Sequence, residues 1–133
     1  MKKRSVSLLD RAKGDLRTVK ALLPMVTEDV DIDICAYHCQ QCAEKAVKFI
    51  IGLEGKDYTR RHEMDMIIED LDDPEALELA KSIMTRIDRW ISSTRYKSTI
   101  ASNRYQVESV LAVCEKLVAL ADKRIPGYSA VKR

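Results

Sequence analysis

Tyr37-His38-Cys39-Gln40-Gln41-Cys42-Ala43-Glu44-Lys45-Ala46-Val47-Lys48 is the stretch whose reading decides the fold. In and around it, Cys35, Cys39, Cys42, Ala46, Phe49 and Leu53 succeed one another at steps of three and four residues, one face of an α-helix. That face points inward. Gln41, Glu44, Lys45 and Lys48 form an opposite, polar face, with Glu44 four residues before Lys48 in the favourable order for a surface pair. The seam is built of Cys and Ala rather than large aliphatic side chains, which lets a neighbouring helix approach closely.

Outward from this stretch the chain is helix after helix. Leu9, Ala12, Leu16, Val19 and Leu23 mark a first helix from about Ser7 to Leu23, stopped by Pro24. The acidic turn Thr27 to Asp31 offers N-caps for the long second helix, which runs to about Leu53 before Gly52 and Gly55 end it. These two helices pair as an antiparallel hairpin. Thr59 caps a short third helix, Arg60 to Leu71, with Met64, Ile67, Ile68 and Leu71 on one side. Asp73-Pro74-Glu75 starts a fourth, with a cap, a proline at the first helical position and an acid in the first turn. Its seam is Leu77, Ala80, Met84, Ile87 and Ile91. The last helix, Arg104 to Lys123, uses Val107, Val110, Cys114, Leu117 and Ala121, and Pro126-Gly127 closes it. The pattern predicts an all-α protein, an antiparallel up-and-down bundle of four long helices plus one short helix.

One connection breaks the rule of short loops. Ser92 to Asn103 has no usable periodicity and is rich in hydroxyl residues that favour turns, and a long irregular connection in a compact domain tends to be functional.

The 133 residues fit a single domain, 1–133, with 1–6 and 126–133 as flexible ends. A net charge of +2 is too small to argue for nucleic-acid binding by bulk electrostatics. The basic start Met1-Lys2-Lys3-Arg4 does not open a signal peptide, because Asp10, Arg11, Lys13, Asp15, Arg17 and Lys20 interrupt the segment from Ser5 to Leu23, and no stretch is apolar enough to cross a membrane. Three of the four cysteines share one helix and Cys114 lies on another, a placement that suits reduced thiols in a cytoplasmic protein better than a disulfide framework.

The Gln40-Gln41, Ala43-Glu44-Lys45 and Lys48 pattern, with His62 opening a short helix and Arg95-Tyr96 after the fourth, resembles the HEPN family of prokaryotic helical domains from about Leu8 to Ile125. The resemblance implies a bundle that forms homodimers. It further implies a role beside a minimal nucleotidyltransferase in a toxin–antitoxin pair, a ribonuclease activity in defence, or nucleotide binding. The family's metal-independent ribonucleases carry an Arg, four to six intervening residues and a His, where the His works as general acid or base and the Arg stabilises charge on the phosphate. Here the positions at that distance before His38 are Asp33, Ile32 and Asp31, and before His62 they are Asp57, Lys56 and Gly55. Neither set contains Arg. That nuclease chemistry is therefore not carried over, and a non-catalytic binding or accessory role is favoured, with no catalytic residue, metal or cofactor assigned.

The charge map places the ligand site. Arg86, Arg89, Arg95, Lys97 and Arg104 cluster against a lone Asp88, whereas Glu63 to Glu78 holds eight acids and no base. Arg95 offers a bidentate fork for phosphate, with Lys97 and Arg89 beside it, and Tyr96 a face on which a base can stack. The competing reading is that the basic run pairs with the acidic one and solvates the surface. His62, near Lys56, Arg60 and Arg61, is a further ligand candidate or simply orients the third helix; Lys48 completes the set. His38 and Cys42, with Cys39 to Cys42 as a CxxC, have zinc-compatible spacing, but a CxxC inside a helix favours thiols acting as small buried hydrophobes. Trp90 and the methionines Met64, Met66 and Met84 suit helix-on-helix packing. The alternative function is a metal-independent ribonuclease with a diverged site built from Arg95, Tyr96 and His62 or Lys48.

Overall fold

A computed structural model describes residues 7–57, 64–86 and 103–127 of the chain. Among these residues five α-helices occur in order: α1 Leu8–Leu22, α2 Asp29–Leu53, α3 Met64–Ile67, α4 Pro74–Arg86 and α5 Arg104–Arg124. Single 3-10 turns lie at Leu23–Met25 and Ile68–Asp70, and no strand occurs among the described residues. The fold is all-α. Residues 1–6 and 128–133, most of the expected flexible ends, lie outside the described residues.

Local chemistry sets the helix ends. Ser7 and Asp10 form a reciprocal capping box at the start of α1, each side chain bonding the other's backbone N–H at 3.1 Å. Asn103 and Gln106 repeat the device at the start of α5. Pro74 occupies the first position of α4, and the Asp73 carboxylate accepts from the N–H groups of Glu75 and Ala76, as the Asp-Pro-Glu signal requires. α1 gives way to its 3-10 turn at Pro24. α2 runs through Gly52 to Leu53, and the chain reverses at Gly55, whose φ of 82° is open to glycine at little cost.

Side-chain bridges fix the helix directions. Lys13 reaches Asp122 and Lys20 reaches Glu115, so α1 and α5 are antiparallel. Arg124 meets Asp73 at one end of α4 while Arg86 bonds Ser109 at the other, so α4 and α5 are antiparallel too. α2, antiparallel to α1 across the short turn, therefore runs in the same direction as α5. These two pack directly: Cys35, Cys39, Cys42, Ala43 and Ala46 of α2 and Cys114, Leu117 and Ala121 of α5 are all at most 1% exposed. The small seam of α2 lets the helices come close.

One expected core face is adjusted. On α4 the fully buried side chains are Ala76, Ala80 and Ile83, with Leu77 and Met84 only partly covered, so the helix is rotated by about one position from the Leu77-Ala80-Met84 seam. Two alanines on the inner face give close approach, and the longer side chains fill the flanks. The described part of the third helix is one α-turn followed by a 3-10 turn, with Met64, Ile67 and Leu71 buried and Ile68 packed against them, the face its spacing indicates; its expected beginning at Thr59 and Arg60 and the α4 seam positions Ile87 and Ile91 lie outside the described residues.

Since α2 is packed without space at its small positions, Ala46→Leu should destabilise the fold by about 1–3 kcal/mol through overpacking. Ala119→Leu, at an exposed position of α5, should stay within about 0.5 kcal/mol. Urea denaturation of the two variants checks the difference.

Candidate functional site

α2 carries an interior polar ridge. Gln40, Glu44 and Lys48 lie four residues apart on one line of the helix and are 1%, 3% and 7% exposed. Lys48 Nζ stands 3.5 Å from Glu44 Oε1. The expected solvent-facing pair is thus a buried one, and Gln41 and Lys45, its neighbours on that face, are half-buried. The reason is position: 13 of the 25 residues of α2 are buried, covering most of its circumference, so a polar face on this helix cannot reach water. Charges taken out of water are retained only where they are paired and hydrogen-bonded.

A second cluster joins α1 to α2. Asp15 holds His38 Nδ1 at 3.2 Å with one oxygen and Lys45 Nζ at 2.7 Å with the other. His38 and Lys45 lie two helical turns apart on α2, so a single carboxylate from α1 ties both. The Tyr37 ring meets the His38 ring edge-on at 5.9 Å between centroids. Sequence reading missed Asp15, because its partners are 23 and 30 residues away and no local pattern marks them.

The cysteines behave as buried small side chains. All four are free and buried, and Cys114 Sγ donates to the Cys39 carbonyl at 3.4 Å. Hydrogen bonds with the Cys39 and Cys42 thiols, then burial, push the Cys114 thiol well above its ordinary range; burial first, then the neighbouring Cys39, raises Cys35. Raised thiols are poor nucleophiles. Among the described residues no group of three or more His, Cys, Asp or Glu side chains is arranged to hold a metal ion.

The two ends of the bundle differ. At one, Glu54 accepts from the N–H groups of Asp72 and Asp73, Lys56 pairs with Asp72 at 2.6 Å and donates to the Asp70 carbonyl, and Arg124 pairs with Asp73 at 2.6 Å and with Glu75 at 3.0 Å. Asp72, Asp73 and Glu75 are thus engaged by Lys56 and Arg124. The Arg124 guanidinium, and after it the helix N–H groups, hold the Asp73 carboxyl below the usual aspartate range.

At the other end the described residues on either side of 87–102 bond across the bundle. Arg86, closing α4, donates to Ser109 Oγ at 2.7 Å, and Arg104, opening α5, donates to the carbonyls of Leu23 and Val26. Arg104, counted in the sequence as part of a phosphate-binding run, thus caps the end of the α1 turn. Of the ligand candidates, Lys48 lies beside Glu44 in the interior, and Arg89, Arg95, Tyr96, Lys97 and His62 lie outside the described residues. Trp90 lies there too.

With the helices and the buried ridge in place, the family model described as the HEPN domain matches residues 5–124. The chain belongs to the HEPN domain family. HEPN domains are in general associated with nucleotides and RNA, and the match spans every described helix. No curated protein and no solved structure matches the chain. No helix among the described residues of this HEPN domain is long and apolar enough to cross a membrane.

Removing one partner of the buried pair takes an ion-pair contact from the other charge inside the bundle, so Glu44→Ala should cost about 3–5 kcal/mol, and Glu44→Leu combined with Lys48→Met should cost less than Glu44→Ala alone. Denaturant titrations of single and double variants measure this. At Asp73 the folded-state carboxyl is depressed, so its contribution is present above the ordinary aspartate range and lost as pH falls through the folded value. The stability gap between wild type and Asp73→Asn, followed by thermal melts, should therefore close in acid and be widest near neutrality.

Proposed function

We propose that this HEPN domain is a non-catalytic module that binds a nucleotide or RNA through the basic connection between α4 and α5, acting as a homodimer and as the accessory partner of a minimal nucleotidyltransferase in a toxin–antitoxin or defence-type system. One observation carries the ligand part of this reading. The described helices pin both flanks of the connection at the same end of the bundle, by Arg86 on Ser109 and Arg104 on Leu23 and Val26. Fixed flanks lower the ordering cost of a ligand contact made beside them. The connection contains Arg89, Arg95 and Lys97 against one acid, Asp88, and Tyr96 supplies a stacking surface. Three acids of the 63–78 run, Asp72, Asp73 and Glu75, are held by Lys56 and Arg124.

The non-catalytic part rests on two features. Neither histidine has an Arg four to six residues before it, and His38 is tied to Asp15 between two helices, in a bridge that also takes Lys45. Partnership with a nucleotidyltransferase and dimerisation rest on family membership. Calorimetric titration of ATP and of a short single-stranded RNA should give saturable binding that Arg95→Ala lowers by about tenfold or more, the loss expected for a charge-assisted bidentate contact. Equal binding by the variant removes the connection as the site. In the presence of a chelator the wild type should leave a labelled RNA intact; cleavage that Arg95→Ala abolishes would establish the ribonuclease reading instead.

A further inference from the structure

The bridge between α1 and α2 leaves one reactive atom unused. Asp15 accepts at both oxygens, from Lys45 Nζ at 2.7 Å and from His38 Nδ1 at 3.2 Å. A carboxylate that takes a hydrogen bond from Nδ1 keeps the ring hydrogen there, so in the neutral imidazole Nε2 carries the lone pair. Nε2 makes no hydrogen bond among the described residues, and the His38 side chain is 32% exposed against 13% for Asp15. A ring nitrogen both unpartnered and dry would be penalised, so the edge of the ring that meets water is the one with Nε2. Lys45 alone already ties α2 to Asp15, and the joint does not need the imidazole.

The ring is also held in place. Tyr37 meets it edge-on at 5.9 Å, on α2 itself, while Asp15 holds it from α1. Tautomer and orientation are thus set by contacts that do not involve Nε2, which is the arrangement of a histidine that attacks an electrophile. The charges beside it select the electrophile. A metal ion at Nε2 would face the Lys45 ammonium, and an acyl group would bring that ammonium nothing to bind. A phosphoryl group would: Lys45, on its flexible stem, can turn from Asp15 to the phosphoryl oxygens, while Asp15 keeps the Nδ1 hydrogen of a ring that has become cationic. Each charge of the bridge then has a partner of opposite sign.

We propose that His38 Nε2 is a phosphoryl acceptor that takes its group from an acyl phosphate. The Nε2 lone pair forms the bond to phosphorus, the bond from phosphorus to the acyl oxygen breaks, and the donor leaves as a carboxylate with that electron pair. No proton has to move, since the Nδ1 hydrogen remains on the ring against Asp15. This acceptor is separate from the nucleotide-binding connection and from RNA cleavage, because it lies on the α1–α2 side of the bundle and is itself the group modified.

Radiolabelled acetyl phosphate, incubated with the whole chain, tests it. Wild type should take up label that withstands alkali and is released by acid, the behaviour of a phosphorus–nitrogen bond, and phosphorus NMR should place it on Nε2. His38→Gln, at a half-buried position and checked by its thermal melt, should lose the label. Asp15→Asn offers Nδ1 a donor in place of an acceptor and so moves the ring hydrogen to Nε2; labelling should slow by about tenfold or more although His38 is still present. Nitrogen NMR should report the change of tautomer, which a merely structural role for Asp15 would not produce. Absence of label from wild type, or its retention by His38→Gln, overturns the inference, as does a wild-type ring with its hydrogen on Nε2.

Discussion

The contact between α2 and α5 is the constraint on which the other packing relations depend. Two helices running in the same direction come together over cysteine and alanine, and α2 is thereby drawn to the middle of the bundle. The arrangement is a consequence of side-chain volume, since only small side chains let two backbones approach closely. Once α2 is central, α1 and α4 must cover its remaining sides. A helix enclosed in this way cannot keep an ordinary polar face, and so Gln40, Glu44 and Lys48 are interior groups. Buried ion pairs add little net stability but penalise every arrangement in which the pair is broken. In this HEPN domain the ridge therefore bears on which rotation α2 adopts more than on how tightly the bundle holds.

The polar interactions divide the molecule along its length. At the end where α2 stops and α4 begins, Glu54, Lys56, Asp72, Asp73 and Arg124 tie three segments together through backbone and side-chain bonds. At the end where α2 and α5 begin, Arg104 bonds main-chain carbonyls, Met25, Val30, Ile34 and Tyr105 are exposed beside polar residues, and Glu28, Asp29, Asp31 and Glu108 make no ion pair among the described residues. The bridges between α1 and its neighbours, Lys13 to Asp122 and Asp15 to His38 and Lys45, hold the sides between them.

Much of the helical framework was legible in the sequence because it rests on local signals. Asp73-Pro74 caps a helix by the chemistry of two adjacent residues, Pro24 ends one by lacking an N–H, and the α5 seam from Val107 to Ala121 is buried as its spacing indicates. The family pattern around Gln40 to Lys48 was legible for the same reason, as residues close in sequence. The rotation of α4 was not, because Leu77 and Ala76 both lie near the inward side and only the neighbouring helix decides which is covered. The site was the least legible part. Asp15, Arg104 and Arg86 find their partners across the bundle, and a charged residue's sequence context does not say whether it will meet a ligand, a carbonyl or another helix. Arg89, Arg95, Tyr96, Lys97 and His62, chosen from the sequence, lie outside the described residues, so their assignment still rests on charge and residue type.

By itself the sequence determined that this chain is all-α, where most helices start and stop, which family it belongs to, and that no Arg precedes either histidine at the nuclease spacing. These are properties of residues near one another, set by backbone geometry and hydrophobic period. Only the tertiary structure decided that the polar face of α2 is internal, that Asp15 joins His38 to Lys45, and that exposed apolar and acidic groups share one end. Burial and long-range pairing depend on which helices surround a position, and periodicity along one helix carries no information about that.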